Sequence, residues 1–274
     1  MFKNFNFKSA TGILIILNIL IFAVMFLFDS SLSIQTLDAF GAKVNYKIAD
    51  GQYYRLVSSM FIHANLQHLL SNMLGLYIFG QTAEYLLGRK KYLVLYFVSG
   101  LFGSLCSFMI NDAVSVGASG ALFGLFGFNL YMLYRNPKIY KQVFGNDIIF
   151  LIGINLVLGI IDTRIDMSGH LGGLLGGFLI SFGLGFKDEK TFTPKHMLVQ
   201  IMAAIMILAS AIGYSNHYKD SEQYNFRKGL DLLTDNKIFE AEEYFKKGYA
   251  INPNNQDFIN LLEAIEEYRQ EIQK

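Results

Sequence analysis

Two polar residues that together could carry out hydrolysis stand in otherwise apolar stretches of the chain. Ser119 lies in the tetrapeptide GASG at residues 117–120, and His170 lies in a glycine-rich stretch. A serine hydroxyl becomes a nucleophile when a neutral imidazole accepts its proton, and the imidazole can return that proton to a leaving amine. The pair therefore indicates acyl transfer by a serine and a histidine.

The surroundings of Ser119 fit the stabilisation of negative charge. Glycines on both sides let the backbone turn sharply, and a helix that begins at Ser119 points unpaired amides and its positive dipole end towards the hydroxyl. This is the geometry of an oxyanion hole. The alternative is that Ser119 caps the helix and that Gly120, Gly124 and Gly127 serve close packing alone.

A second group of polar residues, His63, His68 and Asn72, opens another apolar stretch. His68 and Asn72 are one turn apart on one helical face, so both side chains can donate towards one point. A metal or haem site formed by His63, His68 and His170 is the alternative. Asn72 is a poor ligand for such a site, and no carboxylate or cysteine falls at ligand spacing. We therefore expect neither a metal nor a cofactor.

The composition indicates a membrane protein. Of the 274 residues, 53% are hydrophobic and 16% are charged, and the mean hydropathy is +0.34. This is more apolar surface than one soluble core of this size can hide. The net charge of +1 gives no field that would attract nucleic acid. The single cysteine, Cys106, excludes an intramolecular disulfide framework and a cysteine-based zinc site.

Seven apolar runs are candidates for membrane crossing, which takes about 20 residues for about 30 Å of hydrocarbon. They are Ala10 to Phe28, Leu66 to Leu87, Tyr92 to Ile110, Val116 to Tyr134, Ile148 to Ile161, Met167 to Phe186 and His196 to Tyr214. The fifth is short enough to be a re-entrant segment, so six and seven crossings both stay open. Because polar groups are costly inside such runs, each one there marks a candidate functional site.

Loop charges predict the orientation. Basic residues concentrate in alternate loops, around Lys3, Arg89, Arg135 and Lys187, whereas the other loops hold few, among them Arg164. The positive-inside rule then places the N-terminus in the cytoplasm, and seven crossings place the C-terminal tail outside.

The tail, residues 215–274, reads as a small soluble helical domain. Counted from Glu222, the pattern fits a 34-residue tetratricopeptide repeat, which needs small residues, apolar residues and a proline at set positions. The residues at those positions are Gly229, Leu232, Ala241, Phe245, Gly248 and Pro253. A third helix is predicted from Gln256 to Gln273. The alternative is a generic amphipathic hairpin. One repeat buries too little to be stable alone, so we expect it to dock on a partner, a second copy or the membrane domain.

From about Tyr53 to Gly185 the sequence resembles the rhomboid family of intramembrane serine proteases. The motifs that carry the resemblance are Tyr54-Arg55, HANLQHLLSN at 63–72, Glu84, GASG at 117–120 and GHLGGLLGG at 169–177. Each motif alone is modest, but their order and spacing together are specific.

The resemblance implies a role for each residue of these motifs. Ser119 would be the nucleophile and His170 its only base, and the Ser119 amide would form an oxyanion hole with His68 and Asn72. His63, Arg55 and Gly117 would shape the cavity and the first loop. Phe123 stands where other members often carry a tyrosine that stacks on the histidine, so the stacking would survive without the phenol hydroxyl.

Asp166 lies one turn before His170 and could orient the imidazole as a triad acid. The family's dyad argues against that role. A carboxylate at the aqueous end of an apolar run is more simply a solvated loop group, and this is our prediction for Asp166.

The resulting prediction is an all-α, polytopic membrane bundle. A cytoplasmic N-terminus, residues 1–9, precedes a six-helix rhomboid-like core at 10–186, a linker and seventh transmembrane helix at 187–214, and the soluble repeat. Its expected setting is a bacterial plasma membrane, and its expected partners are transmembrane protein substrates, the lipid bilayer and a protein or second copy bound by the repeat. A non-catalytic rhomboid-like scaffold that binds membrane proteins is the alternative.

Overall fold

The computed structural model describes residues 6–144, 147–162, 165–187 and 194–272, and the regular structure in these ranges is helical apart from one isolated bridge between Lys43 and Ser115. The chain divides into two units. Residues 1–44 and 53–209 form the first unit, and residues 45–52 and 210–274 form the second. Lys3 and Arg164, which enter the predicted charge pattern, lie outside the described residues.

The helices up to the fourth apolar run are α1 (Ala10–Phe28), α2 (Ile34–Ala39), α3 (Asn45–Ala49), α4 (Arg55–Ser58), α5 (Leu66–Gly75), α6 (Gln81–Leu87), α7 (Arg89–Ile110) and α8 (Ser119–Arg135). A 3₁₀ turn, Ser59–Phe61, follows α4, and a π turn, Leu76–Gly80, joins α5 to α6. The later helices are α9 (Pro137–Phe144), α10 (Asp147–Ile161), α11 (Met167–Leu184), α12 (Pro194–Lys219), α13 (Glu222–Thr234), α14 (Ile238–Ile251) and α15 (Gln256–Ile272).

Three of the described helices, α1, α7 and α11, are long and apolar enough to cross a membrane. The second predicted run is interrupted by the π turn, α8 has 17 residues, and α10 has 15. The all-helical fold is confirmed, whereas the count of six or seven crossings stays a prediction.

Side chains cap the start of α1. The Ser9 hydroxyl accepts the Gly12 amide at 3.0 Å. Glu84 of α6 also reaches the start of α1, where its carboxylate accepts the amides of Ala10 and Thr11 at 2.8 and 2.9 Å. A carboxylate at a helix N-terminus satisfies unpaired amides and complements the dipole. Glu84 therefore ties α6 to α1.

The helices α8 and α11 approach each other through glycines. A Cβ atom added to Gly173 would lie 2.0 Å from the carbonyl oxygen of Gly120, and one added to Gly177 would lie 2.1 Å from that of Gly124. Both distances are well inside van der Waals contact, so any side chain at these positions would separate the helices. The predicted contact between two glycine-faced helices is thus present.

The neighbouring pair, Gly172 and Gly176, gives α11 a second close contact, with α7. An added Cβ would lie 2.6 Å from the Cys106 Cβ at Gly172 and 2.9 Å from the Phe102 Cβ at Gly176. The two glycine pairs are offset by one residue and therefore face different neighbours. As a result α11 packs tightly between α7 and α8.

Arg55 organises the segment that precedes α4. Its guanidinium donates to the carbonyls of Asp38 and Ala42 at 3.0 and 2.9 Å, and it pairs with the Asp38 carboxylate at 3.0 Å. The side chain is almost fully buried. A buried guanidinium with several acceptors fixes the backbone segments that supply them.

The second unit contains α13, α14 and α15 packed on each other. Its core consists of Leu232, Ala241, Phe245, Phe258 and Ile265. A Cβ added to Gly229 would lie 2.3 Å from the Phe245 ring, and one added to Gly248 would lie 2.2 Å from the Phe258 ring. Small residues thus admit aromatic rings between the helices, as the predicted helical hairpin requires. The assignment to the tetratricopeptide class stays a prediction.

Candidate active site

Ser119 and His170 meet at the ends of two closely packed helices. Ser119 is the first residue of α8, and His170 lies in the first turn of α11. The Ser119 Oγ and His170 Nε2 atoms are 2.9 Å apart, which is hydrogen-bonding distance. Gly117 precedes the serine with a φ of +122°, a conformation that favours glycine. In this arrangement the imidazole can accept the hydroxyl proton.

Phe123 holds the imidazole from one face. Its ring centroid lies 4.1 Å from that of His170, and the two planes are inclined by 15°. Phe123 lies one turn after Ser119 on α8, so one helix carries both the hydroxyl and the ring that orients its partner. The other ring nitrogen of His170, Nδ1, is buried and has no hydrogen-bond partner within the described part of the chain.

Asp166 is not the solvated loop group that the sequence suggested. Its side chain is half-buried and caps α11, accepting the Gly169 amide at 3.1 Å. The hydroxyls of Ser107, Ser115 and Ser168 also donate to it. Burial alone would raise the pKa of this carboxyl, but the three hydroxyls and the amide together hold the pKa well below its usual range. The predicted solvation was wrong because two of these hydroxyls, those of Ser107 and Ser115, come from segments distant in sequence.

His68 lies against Gly117, just before the serine. A Cβ added to Gly117 would lie 2.6 Å from His68 Nε2 and 3.6 Å from Ser119 Oγ, so the imidazole and the hydroxyl flank the same small space. The side-chain amide of Asn72 donates to the backbone carbonyl of His68 at 2.8 Å. Only the second hydrogen of the Asn72 amide is therefore left to donate a hydrogen bond to an oxyanion.

His63 precedes His68 by five residues and is fully buried. The two imidazole rings meet edge to face, with centroids 5.0 Å apart and planes inclined by 68°. His63 thus supports the ring of His68. Within the described residues, no three histidine, cysteine, aspartate or glutamate side chains are grouped closely enough to hold a metal ion.

A small cavity of about 30 Å³ adjoins the serine and the histidine. Its wall includes Ser104, Ser107, Ser115 and Asp166 in addition to Ser119 and His170. Hydroxyls and a carboxylate in such a wall can hold the water that hydrolysis consumes. The sequence analysis missed this polar wall, although Ser104 and Ser107 are three residues apart in an apolar stretch of α7 and so share one face.

Comparison with known proteins agrees with the motifs. The rhomboid domain family matches residues 50–187. The chain is 33% identical to the rhomboid protease GluP of Bacillus subtilis over 256 residues, which cover 92% of this chain and 50% of GluP. It is 42% identical to RHOMBOID-like protein 2 of Arabidopsis thaliana over 173 residues, 60% of this chain and 54% of that protein.

The chain thus spans about half the length of each of these relatives. Its apolar helices and the matched domain together indicate an integral membrane protein. The match covers half of the sequence and includes every motif residue from Tyr54 to Gly177. The chain therefore belongs to the rhomboid family.

Proposed function

We propose that the chain is a serine endopeptidase that hydrolyses peptide bonds in transmembrane segments of other proteins by means of a Ser119–His170 dyad. The observation that carries the proposal is the 2.9 Å contact between Ser119 Oγ and His170 Nε2. The relatives named as rhomboid proteases support it further. A scaffold that only grips helices would need neither a hydroxyl nor an imidazole at this point.

The proposed reaction begins with transfer of the Ser119 proton to His170 Nε2 as the oxygen attacks the scissile carbonyl. The tetrahedral oxyanion is stabilised by the Ser119 amide, His68 and Asn72, helped by the positive end of the α8 dipole. His170 then returns its proton to the leaving amine, which departs with the C-terminal part of the substrate. Water attacks the acyl-serine in the same way, and His170 again accepts and returns the proton.

Phe123 and the glycine contacts supply the geometry for these steps. Stacking restricts the imidazole to a plane in which Nε2 faces the hydroxyl, so little reorganisation is needed at the moment of reaction. The substrate helix has to unwind locally, because an intact helix keeps its carbonyls in internal hydrogen bonds.

The decisive experiment is labelling of Ser119 by a fluorophosphonate, combined with cleavage of a reporter transmembrane substrate. We expect the wild type to be labelled and active, and Ser119→Ala and His170→Ala each to lose both properties. The double variant should lose little more, because the two groups act as one unit. Substantial turnover by either single variant would refute the dyad and favour the scaffold.

A metal mechanism predicts a different result in the same assay. If His68 were a ligand, chelators would inhibit the wild type and His68→Ala would lower its metal content. We expect chelators to have no effect, since none of the proposed steps uses an ion.

For the topology we propose seven crossings, with residues 215–274 outside. Residues 45–52, which follow α1, belong to the same unit as the C-terminal helices. Within this unit the Asp50 carboxylate accepts the Tyr224 hydroxyl and the Lys228 ammonium, both at 2.7 Å. Two segments in contact lie on the same side of a membrane, and the positive-inside rule places the segment after α1 outside.

Reporter fusions test the topology. A reporter after the last residue should be active outside, and one after Lys187 should be active inside. If both are active in the cytoplasm, the chain has six crossings and the helices α13–α15 are available to cytoplasmic partners.

A further inference from the structure

The carboxylate of Asp166 joins the segment that leads to Ser119 to the helix that carries His170. We propose that Asp166 is a positioning residue that holds these two groups in register, rather than a third member of a catalytic triad. The inference rests on the proposed dyad, because Asp166 would set the position of Ser119 relative to His170.

One oxygen of Asp166 holds the serine side of the site. Asp166 Oδ2 accepts the Ser115 hydroxyl at 2.6 Å. The backbone of Ser115 is paired with Lys43 through two hydrogen bonds of 2.9 and 3.1 Å, and the Gly117 amide donates to the Ser59 carbonyl at 2.9 Å. The segment 115–117 is therefore fixed from several sides immediately before the first residue of α8.

The other oxygen holds the histidine side. Asp166 Oδ1 accepts the Gly169 amide at 3.1 Å and the Ser168 hydroxyl at 2.6 Å. The His170 amide donates to the Asp166 carbonyl at 3.1 Å, which makes Asp166 the N-cap of α11. Because the cap sets where the first turn begins, it also sets where His170 lies along the helix axis.

The end of α7 completes the cluster. The Ser107 hydroxyl donates to Asp166 Oδ2, and the Asn111 side-chain amide lies 3.3 Å from Oδ1. The buried Lys43 ammonium donates to the Asn111 carbonyl at 2.6 Å, and its positive charge lies near enough to Asp166 to interact with the carboxylate. The donors to the carboxylate thus come from three segments, the end of α7, residue 115 and the start of α11, and Asp166 is the acceptor they share.

The same contacts argue against a triad role. A triad acid accepts the Nδ1 proton of its histidine. His170 Nδ1 has no partner among the described residues, whereas both oxygens of Asp166 are occupied by hydroxyl and amide donors. Asp166 can therefore influence the reaction through the positions of Ser119 and His170, not by touching the reacting atoms.

Two serines provide a matched pair of variants. Ser115→Ala and Ser168→Ala each delete one hydroxyl that donates to Asp166 at 2.6 Å. Only Ser115 connects the carboxylate to the serine segment, because Ser168 lies on α11 itself. Ser115→Thr keeps the hydroxyl and serves as the conservative replacement, and Asp166→Asn keeps the size of the side chain while removing its charge.

The rate and the end point of fluorophosphonate labelling should be measured separately, together with kcat and KM for the reporter substrate. A displacement of about 1 Å between reacting groups costs about 100-fold in rate, and we expect a kcat loss of about that size for Asp166→Asn with KM changed less than about twofold. For Ser115→Ala we expect a loss of about tenfold, for Ser115→Thr substantial recovery, and for Ser168→Ala less than about twofold.

A purely structural role predicts another pattern. It would lower the fraction of molecules that can be labelled and the thermal stability, but the labelling rate of each folded molecule would be unchanged. Equal losses for Ser115→Ala and Ser168→Ala, or wild-type rates for Ser115→Ala and Asp166→Asn, would overturn the positioning role. Failure of the wild type itself to be labelled would instead refute the dyad, so the two failures are distinguishable.

Discussion

Replacing Gly173 by alanine should separate the serine from the histidine. The new Cβ would lie 2.0 Å from the Gly120 carbonyl oxygen, and ordinary contact begins at 3.4 Å, so the helices must move apart by about 1.4 Å. Gly120 adjoins Ser119, and Gly173 lies one turn after His170. If the dyad opens by a similar amount, its 2.9 Å hydrogen bond lengthens beyond 4 Å and is lost.

A misplacement of this size costs about 100-fold in rate. We therefore expect kcat for cleavage of the reporter substrate to fall at least about 100-fold in Gly173→Ala, with the labelling rate of Ser119 falling in parallel. The matched control is Gly153→Ala in α10, where an added Cβ meets no atom within 4 Å in the described structure. Gly153→Ala should keep wild-type activity.

Activity of Gly173→Ala within about threefold of the wild type would contradict this expectation, because the helices would then absorb the methyl group without moving the dyad. Thermal unfolding in detergent should accompany the assay. A folded but inactive variant is the expected result, since the contacts of Gly177 with Gly124 and of Gly127 with Leu174 lie further along the two helices.

Three further outcomes follow from the site and its supports. Asn72→Ala should lower turnover by about 10- to 100-fold with little change in KM, because the Ser119 amide and the helix dipole remain; an unchanged rate would remove Asn72 from the oxyanion hole. Glu84→Gln should cost about 1–2 kcal/mol of stability in thermal unfolding by weakening the α1 cap, whereas Glu243→Gln on an exposed surface should have no effect. The lowered pKa of Asp166 stabilises the fold at neutral pH, and this stabilisation should be lost as the pH falls below the ordinary value of 3.8. Acid unfolding of Asp166→Asn should lack that component, and identical acid profiles would contradict it.

Some helix boundaries were predictable from the local sequence. The run predicted from Ala10 to Phe28 coincides with α1, and the helix predicted to begin at Gln256 is α15. Both are determined locally, by an uninterrupted apolar stretch after a capping serine in one case and by a turn after a proline in the other. The helix start at Ser119 was predictable for the same reason, because glycine at 117 marks the turn before it.

The long-range environment of a side chain was not predictable. Asp166 was expected in solvent, yet its partners Ser107 and Ser115 lie 59 and 51 positions away in the sequence. The amide of Asn72 was expected to face the oxyanion, but it also donates to the carbonyl of His68. The Asp166 contacts depend on how separate segments pack. The Asn72 bond is local, to a carbonyl one turn earlier on α5, and it competes with the predicted role of the amide.

By itself the sequence determined the helical class, the glycine faces and the candidate residues for serine hydrolysis, because apolar periodicity, small residues and nucleophilic groups are properties of residue type and local spacing. The tertiary structure decided the rest. It brought Ser119 to within 2.9 Å of His170, stacked Phe123 on that ring, and enclosed Asp166 among hydroxyls. These relations exist only after α7, α8 and α11 have packed, because distances between groups some 50 residues apart are set by the close contact of helices and not by the chain that connects them.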